Sequence, residues 1–180
     1  MLPIGPLMKE HRVIEKLMPS LRQAIEAGRN VGRIEPRFLD IVLDFIRTYA
    51  DRCHHGKEEG ILFRALDHKP LAAAHRTTLE ELIEEHRLAR QAVRALGQAT
   101  ESLKRGDASA LLVIVERLEF LAKFYPAHIL KEDKVFFLPA MDYFDERERA
   151  ALIEEEREFD GALIHLIYRE KALSAGTLRP

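Results

Sequence analysis

Apolar residues recur every three or four positions along this chain, and no segment shows the strict alternation of a β-strand. Gly and Pro cluster between these periodic segments. The pattern predicts an all-α protein with five helices, over about residues 5–28, 36–66, 74–104, 108–138 and 146–172. Four long helices with short connections favour an up-down-up-down four-helix bundle, beside which the additional C-terminal helix packs.

Local signals mark where these helices begin and end. The stretch 28–32 ends the first helix, and Pro36 suits the first turn of the second. Asp145 and Glu148 resemble a capping box at the start of the fifth helix. Pro126 falls inside the fourth helix, where we expect it to produce a kink.

The second half of the sequence repeats the first. Residues 10–12 (Glu-His-Arg) reappear as residues 85–87, and residues 54–59 align without a gap with residues 128–133. The duplication predicts a pseudo-two-fold bundle made of two helical hairpins. Each hairpin supplies one histidine from its first helix and a His-x-x-x-Glu pair from its second.

Several of the repeated polar residues fall within apolar stripes. His11, His86, His128 and Glu132 lie in phase with the apolar residues of their helices. A single histidine in such a place is ordinarily a core residue bonded to a backbone carbonyl. An unpaired buried carboxylate is far more costly, so Glu132 must be neutralised, paired or bound to a cation.

Counting along the helices places the repeated histidines at one level of the bundle. His11 lies 17 residues before the end of the first predicted helix, and His54 lies 18 residues after the start of the second. In the second hairpin the intervals are 18 and 20 residues. Residues four apart share a helix face, so the glutamates reach this level too. The predicted ligands of a two-metal site are therefore His11, His54, Glu58, His86, His128 and Glu132.

The second helix offers an alternative pair of ligands. His55 and Glu59 also form a His-x-x-x-Glu pair, and on a helical wheel the apolar residues of this helix lie on their side. The gapless repeat instead selects His54 and Glu58. We follow the repeat, in which case His55 and Glu59 serve as outer partners of the ligands or as a solvated charged edge.

The side chains that can act as ligands restrict which metal ion the chain can bind. Cys53 is the only cysteine, so the chain forms no internal disulfide and no cysteine-based metal site. Imidazole and carboxylate together favour iron, then manganese, over a structural zinc. We interpret Cys53 as a small buried apolar residue, with a redox role beside His54 as the alternative.

Composition narrows the functional classes. Charged residues make up 32% of the chain but the net charge is −2, which argues against nucleic-acid and anionic-membrane partners. The first residues lack the regions of a secretory signal, so we expect a cytoplasmic protein. With 180 residues, 47% of them apolar, a single domain over 1–180 is expected, with the bundle at 5–140 and the extra helix at 146–172.

In its repeated His and Glu segments, the chain resembles the hemerythrin-like, or HHE cation-binding, family over about residues 5–140. The resemblance rests on the segments 54–63, 85–86 and 128–139. It implies a non-haem centre of two iron ions, oxo- or hydroxo-bridged, with both glutamates bridging. The resemblance also implies that oxygen, nitric oxide or peroxide is the small molecule that binds at iron. The ligand set is also similar to that of di-iron proteins that repair iron–sulfur clusters.

One departure from oxygen-carrying hemerythrins lies in the third helix. Those proteins have a second histidine one turn from the first, whereas Leu82 and Arg90 stand four residues either side of His86. With four histidines instead of five, the resemblance implies that one iron loses a protein ligand and gains an exchangeable position. This difference argues against reversible oxygen carriage.

Three functions fit the same six ligands. The first, which we rank ahead of an enzyme, is binding or sensing of oxygen, nitric oxide or peroxide in a stress response. The second is a di-iron oxidoreductase or iron–sulfur repair protein, which reduces nitric oxide or peroxide with an electron donor, or donates iron. The third is an iron-dependent interaction module that contacts a protein partner through the fifth helix.

Overall fold

Four helical rods and a C-terminal helix make up the fold. The computed structural model describes the backbone of residues 2–177 and the side chains of residues 2–167. Rod 1 contains α1 (Ile4–Glu15) and α2 (Met18–Asn30), and rod 2 contains α3 (Pro36–Phe45), π1 (Ile46–His55), π2 (Glu58–Phe63) and α4 (Arg64–Asp67). Rod 3 is the single helix α5 (Ala73–Lys104). Rod 4 contains α6 (Ala110–Lys131), π3 (Glu132–Phe136), α7 (Phe137–Ala140) and a 3₁₀ turn (Met141–Tyr143), and the C-terminal helix α8 (Glu146–Thr177) follows it. Residues 2–177 include no strand, which confirms the predicted all-α class.

Neighbouring rods run in opposite directions. Between rods 3 and 4, Glu85 pairs with His128, and Glu81, one turn earlier, pairs with Lys131, one turn later. Ion pairs between rods 2 and 3 follow the same reversed order. Rod 1 packs against rod 4 through α2. The four rods therefore close into the predicted up-down-up-down bundle.

The helix predicted over 5–28 is interrupted, so this prediction was wrong in detail. α1 ends at Glu15, and Pro19 stands in the first turn of α2. In a continuous helix the ring of Pro19 would clash with the carbonyl of Glu15, and one backbone hydrogen bond would be lost. α2 then continues past Gly28 to a turn at Gly32, where φ is +69°.

Rods 2 and 4 contain wider helical turns that the apolar periodicity does not predict. π2 begins at Glu58 and π3 begins at Glu132, the two equivalent glutamates of the repeat. α6 continues through Pro126 as far as Lys131, so the change of helix type comes after the proline. Turns with i→i+5 hydrogen bonds are uncommon and are frequently found at functional sites.

Two apolar clusters fill the bundle and leave a polar layer between them. One cluster contains Ile14 and Leu118, and the other contains Leu7 and Leu82. His11 lies between Leu7 and Ile14 on α1, at the junction of the two clusters. The bundle therefore holds its polar residues midway along its length, with apolar packing above and below.

α8 lies along rod 2 in the opposite direction. The predicted capping box is present: Asp145 N donates to Glu148 Oε2 at 3.0 Å, and Glu148 N donates to Asp145 Oδ1 at 2.8 Å. Arg64 of rod 2 donates to Glu155 of α8 at 2.6 Å. Among the described residues, every helix is too short or too polar to span a bilayer.

Gly28 fixes the close approach of α2 to rod 4. A Cβ atom on Gly28 would lie 2.6 Å from Cγ2 of Val115 and 3.0 Å from Cδ1 of Ile34. We expect Gly28→Ala to lower the free energy of unfolding by roughly 1–2 kcal/mol, because overpacking outweighs the higher helix propensity of alanine. Urea denaturation measures this difference. Gly161→Ala is the control, since its Cβ meets no atom within 4 Å; equal stability of the two variants would show that α2 moves aside without cost.

Candidate metal centre

Seven side chains form the polar layer in the middle of the bundle. They are His11, His54, His55, Glu58, His86, His128 and Glu132. Each is buried, with at most 3% of its surface exposed. The layer thus contains the six residues selected by the repeat, and His55 as well. Glu59, the other member of the alternative pair, lies at the rim with 33% of its side chain exposed.

The histidines fall into two groups. The His11 group consists of His11 and His54, whose donor atoms lie within 4.8 Å of each other and of the two layer glutamates. The His86 group consists of His55, His86 and His128, whose donor atoms also lie within 4.8 Å of one another. The layer therefore offers two adjacent places at which imidazole nitrogens converge.

Each layer glutamate reaches both groups. Oε1 of Glu58 lies 3.3 Å from Nε2 of His54, and its Oε2 lies 3.4 Å from Nε2 of His86. Glu132 divides its oxygens in the same way, at 3.1 Å from the His11 group and 3.3 Å from the His86 group. A carboxylate with one oxygen toward each of two places can bridge two cations about 3.5–4 Å apart.

A carboxylate stands behind every histidine of the layer. Measured from imidazole Nδ1, the pairs are His11 with Asp133 at 2.8 Å, His54 with Glu10 at 3.0 Å, His55 with Asp51 at 3.4 Å, His86 with Glu59 at 2.7 Å and His128 with Glu85 at 2.6 Å. A carboxylate at Nδ1 holds the imidazole proton there and orients the ring. Nε2 is then free to donate its lone pair to a metal ion.

The internal repeat extends to these outer contacts. Glu10 and Glu85 occupy equivalent positions, and each bonds to the histidine of a His-x-x-x-Glu pair. Lys57 and Lys131 are equivalent too, and each donates to that same glutamate. The pseudo-two-fold predicted from the sequence is therefore present in side-chain contacts as well as in the order of the helices.

The wide turns of rod 2 direct neighbouring residues into the layer. His54 and His55 end π1, and Glu58 begins π2. In a regular α-helix successive side chains point about 100° apart, so only one of two consecutive residues faces the core. Turns with i→i+5 hydrogen bonds hold more residues, which reduces this angle. Both histidines are consequently 1% exposed.

Protein groups alone leave several polar atoms of the layer unpaired. Both carboxylate oxygens of Glu58 and Glu132, and Nε2 of His11 and His54, are buried without a hydrogen bond to any described residue. Burial, reinforced by the Glu132 carboxylate, raises the pKa of Glu58 well above its usual range. Burial acts in the same direction on Glu132, but the neighbouring imidazoles outweigh it and hold the pKa of Glu132 well below its usual range. The layer thus favours the neutral form of Glu58 and the charged form of Glu132; burial acts against protonation of His128, but the Glu132 carboxylate outweighs it and raises the pKa of His128 to about 9.

A known family matches most of the chain. The model of the hemerythrin HHE cation-binding domain matches residues 2–140, and a second match covers residues 77–173. The chain belongs to the hemerythrin HHE cation-binding family. The second match begins in rod 3, where the second hairpin starts, as the internal repeat leads us to expect. No curated protein and no solved structure matches the chain.

The polar layer fits the cation that an HHE domain binds. A buried polar atom without a partner costs about 1–3 kcal/mol, and six such atoms converge here. Burial lowers the pKa of His54 and of His55 well below the usual range, so both imidazoles are neutral, the form that coordinates metals. Cations between the two groups would satisfy every unpaired oxygen and nitrogen of the layer.

Lys57 is a buried neighbour of the polar layer whose contacts the sequence does not predict. Its side chain is fully buried, and its Nζ donates to Glu10 and to Asp160 of α8, at 2.9 Å from the latter. Because Glu10 also bonds to His54, a chain of contacts joins α8 to the polar layer. The signal was present in the repeat, which places Lys131 at the equivalent position.

Cys53 does not have the apolar surroundings predicted for it. The side chain is half-buried, and its Sγ lies 3.6 Å from Oδ1 of Asp160. Burial raises the pKa of the Cys53 thiol to about 12, although Lys57 acts against this shift. The thiol therefore stays protonated at neutral pH, which makes it a poor nucleophile.

Proposed function

We propose that this HHE domain binds two iron ions and that oxygen, nitric oxide or peroxide is bound or sensed at them. The ligands in this proposal are the six selected by the repeat: His11, His54, Glu58, His86, His128 and Glu132. The observation that carries it is the pair of buried glutamates, each with one unpaired oxygen toward each histidine group. Two carboxylates in this arrangement can bridge two cations.

The donor chemistry favours iron. Imidazole nitrogen and carboxylate oxygen together suit iron and manganese, whereas a structural zinc ordinarily has four ligands that include cysteine. Cys53 is the only thiol of the chain, and it lies outside the polar layer. Two adjacent iron ions supply a redox-active centre at which a diatomic molecule or a peroxide can coordinate.

The surroundings favour a small molecule over a large substrate. The apolar clusters on both sides of the layer exclude bulk water. A cavity of 130 Å³ reaches His55 between π1 and α5, with Asp51, Arg90 and Tyr125 in its wall. This volume is below the roughly 300–1,000 Å³ of ordinary ligand pockets, so the cavity suits a molecule of a few atoms better than a large substrate.

The first experiment is metal analysis with optical spectroscopy. Protein from iron-replete cells should contain two irons per chain and show absorption in air that bleaches after anaerobic reduction. Reversible spectral changes with oxygen or nitric oxide would support binding or sensing. No iron, or a single zinc, would contradict the di-iron proposal. Steady consumption of nitric oxide or peroxide with an added reductant would show that the centre is that of an enzyme.

A further inference from the structure

We propose that the groove between rods 2 and 3 binds a phosphate monoester with a hydroxyl-bearing body, of the sugar-phosphate class. The groove has a volume of about 850 Å³, which lies within the roughly 300–1,000 Å³ of ordinary ligand pockets. It lies on the outside of the bundle and contains no residue of the polar layer. The inference therefore does not rest on the proposed metal function.

Four arginines line this groove, two from each rod. Arg47 and Arg52 belong to π1, Arg94 belongs to α5, and Arg105 directly follows α5. In a regular α-helix, side chains five residues apart point about 140° away from each other. The wide turns of π1 reduce this angle, so Arg47 and Arg52 face the groove together. Two rods thus direct four guanidinium groups to one opening.

Two of these arginines have no partner of their own. Arg47 and Arg94 are exposed and make no hydrogen bond or ion pair with any residue that the structure describes. Acidic residues of the groove are already engaged, because Lys104 donates to Asp40 at 2.6 Å and to Glu101 at 2.9 Å. The groove therefore presents positive charge that the described residues leave unpaired, as an anion-binding site requires.

Gly97 allows Arg47 to lie across the backbone of α5. A Cβ atom on Gly97 would collide with Nη2 of Arg47. Glycine inside a helix lowers its stability relative to alanine, and Gly97 lies well within α5, so the close approach of the guanidinium gives a reason for glycine here. Arg47 and Arg94 also line the 130 Å³ cavity that reaches His55, which places both at the same end of the groove.

The two ends of the groove differ in chemistry. Guanidinium groups bind phosphate through parallel N–H donors, so the end with Arg47 and Arg94 suits a phosphate group. The rest of the groove, toward Arg105, adds neutral or acidic polar residues, which are Asp44, Gln98, Glu101 and Ser102. Their oxygens can accept hydrogen bonds from the hydroxyl groups of a sugar, whereas a second anion or an apolar ring would find few partners there.

Isothermal titration calorimetry of the full chain as purified tests the proposal, with ribose 5-phosphate as the probe. Ribose 5-phosphate should bind more tightly than inorganic phosphate, and ribose should show no binding. Arg47→Gln and Arg94→Gln should each weaken binding of the probe by about 10-fold or more, because each removes charge-assisted hydrogen bonds. Arg22→Gln is the matched control, since Arg22 is an exposed arginine of α2 that lies outside the groove.

Gly97→Ala is a further variant that leaves the net charge unchanged. Its methyl group displaces the flexible end of Arg47, so affinity for ribose 5-phosphate should fall while stability is kept. The proposal is overturned if ribose 5-phosphate does not bind at millimolar concentrations, or if inorganic phosphate binds equally well. Binding that all three groove variants leave unchanged also overturns it, and loss of that binding on metal removal would then place the phosphate at the polar layer.

Discussion

Glu58→Gln is expected to lower the iron content from two ions per chain to at most one. Glutamine has nearly the same size as glutamate, so packing in the polar layer is preserved. Its neutral amide cannot bridge two cations, and the layer loses one of its two buried negative charges. Iron per chain after anaerobic loading and gel filtration is the measurement. Glu132→Gln should behave alike, because its carboxylate spans the two groups in the same way.

Glu59→Gln is the matched control, since Glu59 is the next residue along the chain and lies at the rim. It accepts a hydrogen bond from Nδ1 of His86 at 2.7 Å and faces away from the two metal places. The variant should keep two irons with an affinity lower by about 10–100-fold. Loss of iron from Glu59→Gln, together with full iron in Glu58→Gln, would show that rod 2 presents the other His-x-x-x-Glu pair.

Removing the metal is expected to lower the melting temperature by about 8–16 °C. Ligand present at a thousand times its Kd stabilises the folded state by roughly 4 kcal/mol, and each kcal/mol shifts the Tm of a chain of this size by roughly 2–4 °C. The unpaired oxygens of Glu58 and Glu132 add to the effect, because removing the cations leaves them facing each other in the core. Scanning calorimetry of iron-loaded and chelated protein measures the shift.

The double variant Glu58→Gln, Glu132→Gln separates this effect from general damage by the chelator. With both bridging carboxylates replaced, its melting temperature should be the same with and without iron. If metal removal leaves the melting temperature of the wild type unchanged, the polar atoms of the layer find partners among protein groups without a cation. That result would contradict the role given to the unpaired atoms of the layer.

The repeat in the sequence predicted more of the site than the apolar periodicity did. Aligning residues 54–59 with 128–133 selected Glu58 over Glu59, and the structure places Glu58 inside the layer. The helical wheel of rod 2 pointed to the other pair because it assumes a constant angle per residue. π1 breaks that assumption, and no local sequence signal announces a wide turn.

Two further features were not predicted, one because it depends on contacts between distant segments and one despite a local signal. Lys57 is charged and lies beside the site in sequence, so only its burial against Glu10 and Asp160 reveals its role. The break in rod 1 follows from the steric effect of Pro19 on the preceding turn, although the apolar pattern continues through it. That pattern did predict the rods, their directions and the level at which the polar residues meet.

A centre whose contacts come in two equivalent sets can be built by two separate copies of one helical hairpin. In such a pair, every substitution appears twice, so the two halves of the polar layer stay identical whatever residue is chosen. Joining the copies into one chain removes this constraint. Position 55 carries histidine here while its counterpart at 129 carries isoleucine. Covalent linkage of the hairpins thus permits the two histidine groups of the layer to differ, which a symmetric assembly cannot encode.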